Sequence, residues 1–266
     1  MEIQPDFGLN FVVTDHIIKR CTKTNRKFLR GPGGLFSKSP PWLPEAGTQV
    51  IQLEQVSVTK DGTDILKSID LEIRRGEKVL LKGESGSGKS TLIKSLLFFE
   101  HFRGQVLFEG RPVTKENLGA YRRQSGYIGQ TVPNFNESVR DFLLIPYGFR
   151  ANRKLGVDGE RLRKLLAALN FDETVLDKNY AELSGGEKQR MMILQVLMLN
   201  KPVFFLDEVT SALDKKNIAA AVSLITGDKE RTVLSISHNE EWEEYCTRVL
   251  VMDKGEIRED YTRGGY

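Results

Sequence analysis

The segment Gly83-Glu84-Ser85-Gly86-Ser87-Gly88-Lys89-Ser90-Thr91 constrains this chain more than any other. It fits the spacing G-x-x-x-x-G-K-[ST]. It follows Lys78–Lys82, which reads as a short buried strand, and opens onto helix-type periodicity from Lys89 to about Phe98. Glycines at 83, 86 and 88 let the backbone curl until successive N–H groups converge on one anionic centre. The helix that follows turns its positive end on the same point. Lys89 adds a point charge suited to β- and γ-phosphates, and the Ser90 hydroxyl can ligate Mg²⁺. A glycine-rich turn that merely joins strand to helix is the plain alternative; the placement after a strand and before a helix argues against it. The loop indicates a nucleoside triphosphate and leaves open which machine uses it.

Around this loop the pattern is regular. Val50–Val58 and Ile69–Ile73 alternate apolar and polar residues across a turn at Lys60-Asp61-Gly62, as strands do. Further strands are expected at Gln105–Phe108, Tyr127–Gly129, Val203–Leu206, Thr232–Ile236 and Val249–Met252. Helices are expected at Val139–Leu144, Gly159–Leu169, Gly185–Leu199, Lys216–Ile225 and Asn239–Cys246. Strands alternating with helices imply a parallel core sheet wrapped by helices, an α/β fold. The helix-rich stretch at about 133–183 reads as an inserted helical subdomain, so residues 50–266 form one domain. Residues 1–49 read as an extension and linker: a basic run (Lys19, Arg20, Lys23, Arg26, Lys27, Arg30) precedes a glycine- and proline-dense stretch. A poorly ordered tail and a basic strap for anionic lipid or a partner subunit are the two readings of it.

Composition narrows the class. The 266 residues carry 39 Lys and Arg against 36 Asp and Glu, a net charge of +3, so no strongly basic balance calls for nucleic acid. Hydrophobic content of 39% excludes disorder as the global state. Cys21 and Cys246 stand far apart and outside any Cys/His cluster, which argues against a disulfide scaffold or zinc site. No run approaches the roughly 20 apolar residues that cross a bilayer, and the start has no basic, apolar signal-peptide pattern. A cytoplasmic chain that reaches a membrane only through a partner is the expectation.

Two further segments join the phosphate loop. Pro202-Val203-Phe204-Phe205-Leu206-Asp207-Glu208 is a buried-strand pattern ending in two carboxylates, at the edge where open α/β sheets bind ligands. There Asp207 is suited to hold Mg²⁺ and Glu208 to accept a proton from an attacking water. Leu183-Ser184-Gly185-Gly186-Glu187-Lys188-Gln189-Arg190 sets a favoured N-cap serine and two glycines at a helix start, a second anion site. That octapeptide, lying between the phosphate loop and the Asp-Glu strand, resembles the signature of ATP-binding cassette (ABC) ATPases, and the resemblance runs from about Val50 to the end.

The resemblance implies a P-loop NTPase core of ABC type, with a parallel sheet, an antiparallel β subdomain and a helical insertion. It further implies ATP as substrate, Mg²⁺ as cofactor and ATP hydrolysis as activity. Gln130 matches the glutamine that senses Mg²⁺ and the attacking water, Ser211-Ala212-Leu213-Asp214 the D-loop with Asp214 at the nucleotide, and His238 the histidine at the γ-phosphate. One departure from the family pattern falls at Lys60, where an aromatic residue usually stacks on adenine. The resemblance also implies a head-to-tail homodimer. Each site then takes Lys89, Asp207, Glu208 and His238 from one subunit and Ser184 and Gly186 from the other. It favours a transport ATPase on the cytoplasmic face of the cell membrane, driving a separately encoded permease. Lys178–Arg190 and Leu206–Asp214 resemble the iron-export ATPase subunits, with Thr131–Tyr147, including Phe135, Phe142, Leu143 and Leu144, as the docking segment. The alternative within the superfamily is a soluble ATPase that acts on a protein partner, as the iron–sulfur assembly members do.

Overall fold

The computed structural model describes residues 49–149, 152 and 155–263; the N-terminal extension, its basic run and Cys21 lie outside them. Two sheets form the frame. The first has the order β2-β1-β4-β5 and is antiparallel throughout, built from β1 (Gln49–Lys60), β2 (Thr63–Arg74), β4 (Arg103–Phe108) and β5 (Arg111–Pro112). β1 and β2 close through Asp61 and Gly62, both at positive φ (47° and 76°), the backbone a two-residue hairpin with the right twist requires.

The second sheet has the order β10-β9-β3-β8-β7-β6, comprising β3 (Lys78–Gly83), β6 (Ser125–Ile128), β7 (Val203–Asp207), β8 (Thr232–Ile236), β9 (Arg248–Asp253) and β10 (Glu256–Thr262). All its pairs are parallel except β10 with β9. Its central strands are buried along nearly their whole length because both faces are covered. Leu80, Phe204 and Leu206 pack on one face with α5 (Gly185–Leu199), α6 (Lys215–Thr226) and the helical stretch between β6 and β7. Leu81, Phe205 and Leu234 pack on the other with α1 (Lys89–Leu96) and the antiparallel sheet. Each such side chain contributes roughly 1.5–3 kcal/mol on burial.

The register decides where the chemistry lies. Leu81 and Asp207 both pair with Ile236, and Ile128 pairs with Leu206. The carboxyl ends of β3, β8, β7 and β6 are therefore level, and Gly83, His238, Glu208 and Gln130 follow them at one edge of the sheet.

Three elements had no counterpart in the sequence reading: β5, β10 and the short α2 (Leu118–Arg123). The helical stretch includes α3 (Val139–Leu144) and α4 (Gly159–Ala168), and the four apolar residues named in the expected docking segment lie in or just before α3. Phe135, Phe142, Leu143 and Leu144 are all buried, at 2%, 0%, 2% and 8% exposure. Phe142 stacks on Tyr180 at 4.3 Å, and Phe135 meets both rings at about 6 Å. These side chains fasten the helical stretch to the core.

Candidate functional site

The glycine-rich loop leaves β3 at Gly83 and enters α1 at Lys89. Gly88 is the N-cap, at φ 105°, and a Cβ there would lie 2.9 Å from both Ile65 O and Leu66 Cδ2. Backbone angle and space both demand glycine. No side chain caps α1 and no acidic residue occupies its first turn. The other described helices of eight or more residues are capped, α4 by Asp158, α5 by Ser184 and α6 by Asp214. The leading N–H groups of α1 have no intrahelical acceptor, so the loop presents them to an anion. Lys89 is 6% exposed and its Nζ donates to Gly83 O at 2.8 Å and Glu84 O at 2.7 Å, with Ser87 Oγ at 3.5 Å. Burial lowers its pKa, and the Glu208 and Asp207 carboxylates oppose that shift. Ser87 is buried beneath the loop, while Glu84, Ser85 and Gly86 form its exposed rim and Thr91 lies part-buried in the first turn of α1.

Opposite stands the carboxylate side. Asp207 ends β7 at 3% exposure and accepts a hydrogen bond from Ser90 Oγ at 3.1 Å. Burial raises its pKa, and the adjacent Glu208 adds to the rise against the Ser90 hydrogen bond and the Lys94 and Lys89 charges. Glu208 gathers the rest. Its Oε2 accepts from Gln130 Nε2 at 2.8 Å and its Oε1 lies 3.5 Å from His238 Nε2. Its φ is 53°, a left-handed backbone that costs a non-glycine residue about 1–2 kcal/mol. Such strain at a carboxylate shared by a glutamine and a histidine marks a working position.

The donor set suits a hard divalent cation. Ser90 Oγ and the Asp207 carboxylate are adjacent oxygens, and burial disfavours the Asp207 charge, which a bound cation would stabilise. Among the described residues no group of three or more His, Cys, Asp or Glu could hold a metal alone. Phosphates and water are the usual sources of the remaining oxygens around such a cation.

The serine-glycine segment lies apart from this group. Ser184 caps α5 in a capping box: its Oγ accepts from Glu187 N at 3.3 Å, and Glu187 Oε2 accepts from Ser184 N at 2.8 Å. Gly185 has open space beside it, whereas a Cβ at Gly186 would lie 2.9 Å from Ala212 O. Asp214 caps α6, and both its carboxylate oxygens accept from Asn217, at 2.9 and 2.8 Å. Among the described residues no hydrogen bond or ion pair joins Ser184, Gly185, Gly186 or Asp214 to the group around Lys89. Lys60, at the departure from the family pattern, pairs with Glu100 at 2.7 Å. The sequence reading gave no role to Gln189, Thr210 or Trp242. Gln189 bonds Ser211 and Ala212 at part-buried positions, and Trp242 Nε1 donates to Thr210 Oγ1 at 2.9 Å in the interior.

The family model described as "ABC transporter" matches residues 66–211. The chain is 38% identical over 213 residues to the ATP-dependent lipid A-core flippase of Hahella chejuensis, covering 75% of this chain and 35% of that protein. It is 33% identical over 221 residues to the "Probable iron export ATP-binding protein FetA" of Escherichia coli, covering 81% of this chain and 97% of that one. It thus spans about a third of the flippase and nearly all of FetA. Among solved structures, a dimeric bacterial ABC transporter cassette superposes with TM-score 0.71 at 25% identity, covering 81% of this chain and 100% of that one. The same figures hold for that cassette's post-hydrolysis state bound to ADP and Pi.

Proposed function

The chain belongs to the ABC transporter family, and from that premise we propose that two copies close head to tail around two ATP molecules and hydrolyse them to drive a separate membrane permease. The convergence of Gln130 and His238 on Glu208, beside Ser90–Asp207 and the Lys89 loop, carries this reading. Its chemistry is ATP hydrolysis.

In this reading the loop amides and Lys89 hold the β- and γ-phosphates, with Ser90, Asp207 and Gln130 holding Mg²⁺, which when bound neutralises phosphate oxygens. Gln130 and His238 keep the Glu208 carboxylate aimed at the attacking water. That water loses its proton to Glu208 as its oxygen bonds the γ-phosphorus, and the bond to the β-phosphate oxygen breaks to release ADP. Ser184 and Gly186 close the site from the partner subunit, since a single chain keeps them apart from its own Lys89. The dimeric relative supports this arrangement.

Among the described residues no helix is long and apolar enough to cross a membrane. Near end-to-end similarity to FetA supports an ATPase subunit at the cytoplasmic face, with a metal ion, iron, as the exported cargo. The flippase similarity favours a second reading, a lipid cargo. Intracellular iron measured with and without the protein separates the two: unchanged iron removes the metal reading.

Replacing Glu208 by Gln tests the core of the proposal. ATP binding is retained, turnover falls by about 10²–10⁴-fold, and size exclusion with ATP shows a trapped dimer. Normal turnover by that variant sinks the assignment.

A further inference from the structure

We infer that Gln189 is a positioning residue that holds the loop bearing Glu208 in its strained conformation and so ties turnover at that carboxylate to the placement of the α5 tip. The inference rests on the reading of Glu208 as the proton acceptor.

Gln189 lies one turn into α5 and is 3% exposed. Both ends of its amide are engaged on consecutive residues of one loop. Nε2 donates to Ser211 Oγ at 2.9 Å, and Oε1 accepts from Ala212 N at 2.9 Å. A buried amide with both ends satisfied on one segment fixes that segment's distance and orientation relative to its helix. Almost one turn earlier, the same segment runs so close to α5 that a Cβ on Gly186 would lie 2.9 Å from Ala212 O.

The loop needs such support. Glu208 at φ 53° persists only where its surroundings over-determine it. The turn's own backbone bonds are long, Ser211 N to Glu208 O at 3.3 Å and Leu213 N to Thr210 O at 3.2 Å, toward the weak end of the range. The side-chain bonds are shorter. Gln189 grips Ser211 and Ala212 from α5. Trp242 grips Thr210 at 2.9 Å from α7 (Glu240–Tyr245), the helix that follows His238. Movement of the α5 tip therefore reaches Glu208 through four residues of loop, and the connection is made of two hydrogen bonds that one substitution removes.

The test uses the full chain and compares Gln189→Met, Gln189→Glu, Ser211→Ala and Glu208→Gln. Gln189→Met keeps the volume and loses both bonds: kcat falls about 10- to 100-fold while KM for ATP stays within about twofold. Gln189→Glu restores kcat to within about threefold of wild type. A carboxylate accepts from Ala212 N, and the Ser211 hydroxyl turns to donate to it. Ser211→Ala, at an exposed residue, removes one bond and gives an intermediate kcat. Wild-type kcat in Gln189→Met, or a loss that Gln189→Glu leaves unrepaired, overturns the inference. Should Gln189→Met fail to fold, Ser211→Ala decides, and an unchanged kcat there overturns it equally. Normal turnover by Glu208→Gln would instead remove the underlying reading of the site, a failure distinct from the first.

Discussion

Two helix starts in this molecule look alike in sequence and differ in what they leave undone. Both α1 and α5 follow glycine-bearing segments with a serine nearby. At α1 no side chain caps the helix, and Lys89, Ser90, Asp207, Glu208, Gln130 and His238 gather within one chain. At α5 the Ser184–Glu187 box satisfies the terminus internally, and Ser184 and Gly185 are exposed, with no hydrogen bond to the Lys89 group among the described residues. The first is a site waiting for an anion. The second is stable by itself and becomes useful only against another surface. On the proposed reading, a chain built this way carries complementary halves of two sites, which a head-to-tail dimer would complete.

The contrast can be broken at α1 first. Lys89→Ala removes the charge at the open helix start, and turnover falls by about 10²–10³-fold with loss of ATP binding in the isolated subunit. Calorimetric titration of dilute monomer checks this, and retained binding there would erase the difference between the two ends. Ser184→Ala acts on the capped end. Removing the cap lowers stability by about 1 kcal/mol, a melting shift of roughly 2–4 °C at this size. Turnover falls at least about tenfold while monomer affinity for ATP is unchanged. An altered monomer affinity would mean that the α5 tip serves its own chain's loop.

The smallest effect sharpens the electrostatic side. Burial raises the pKa of Asp207, so its contribution to ligand-free stability is complete below the unfolded carboxylate pKa of about 4 and is lost as pH rises through the folded value. Asp207→Asn therefore raises the melting temperature of the ligand-free chain and abolishes the added stabilisation from Mg²⁺ with ATP. Scanning calorimetry at pH 7 with and without ligand checks both; a lower ligand-free melting temperature contradicts the sign.

Much of this was legible beforehand. The central strands came within a residue or two because strands covered on both faces concentrate apolar residues into short runs that stand out from the flanking turns. The site residues came from motifs, and the structure assembles those of the α1 group around Glu208. The misses have separate causes. β10 reads Glu-Ile-Arg-Glu-Asp-Tyr-Thr and is exposed over most of its length, so it lacks alternation; the Lys254-Gly255 turn before it was its one signal. Phe135 and Phe142 were visible as apolar residues, but spacing alone does not say which neighbour covers a ring, and Tyr180 does. Gln189 and Thr210 act through partners distant in sequence, which no local pattern records.

Trp242 gives the molecule an optical probe of its own. It is the single indole within residues 49–266, sealed from solvent, its ring nitrogen bonded beside the Glu208 loop and its helix starting just past His238. With Trp42 replaced by Phe, emission reports on that neighbourhood alone. Each round of nucleotide capture and release becomes readable in real time, label-free, as a change in the colour or brightness of one fluorophore.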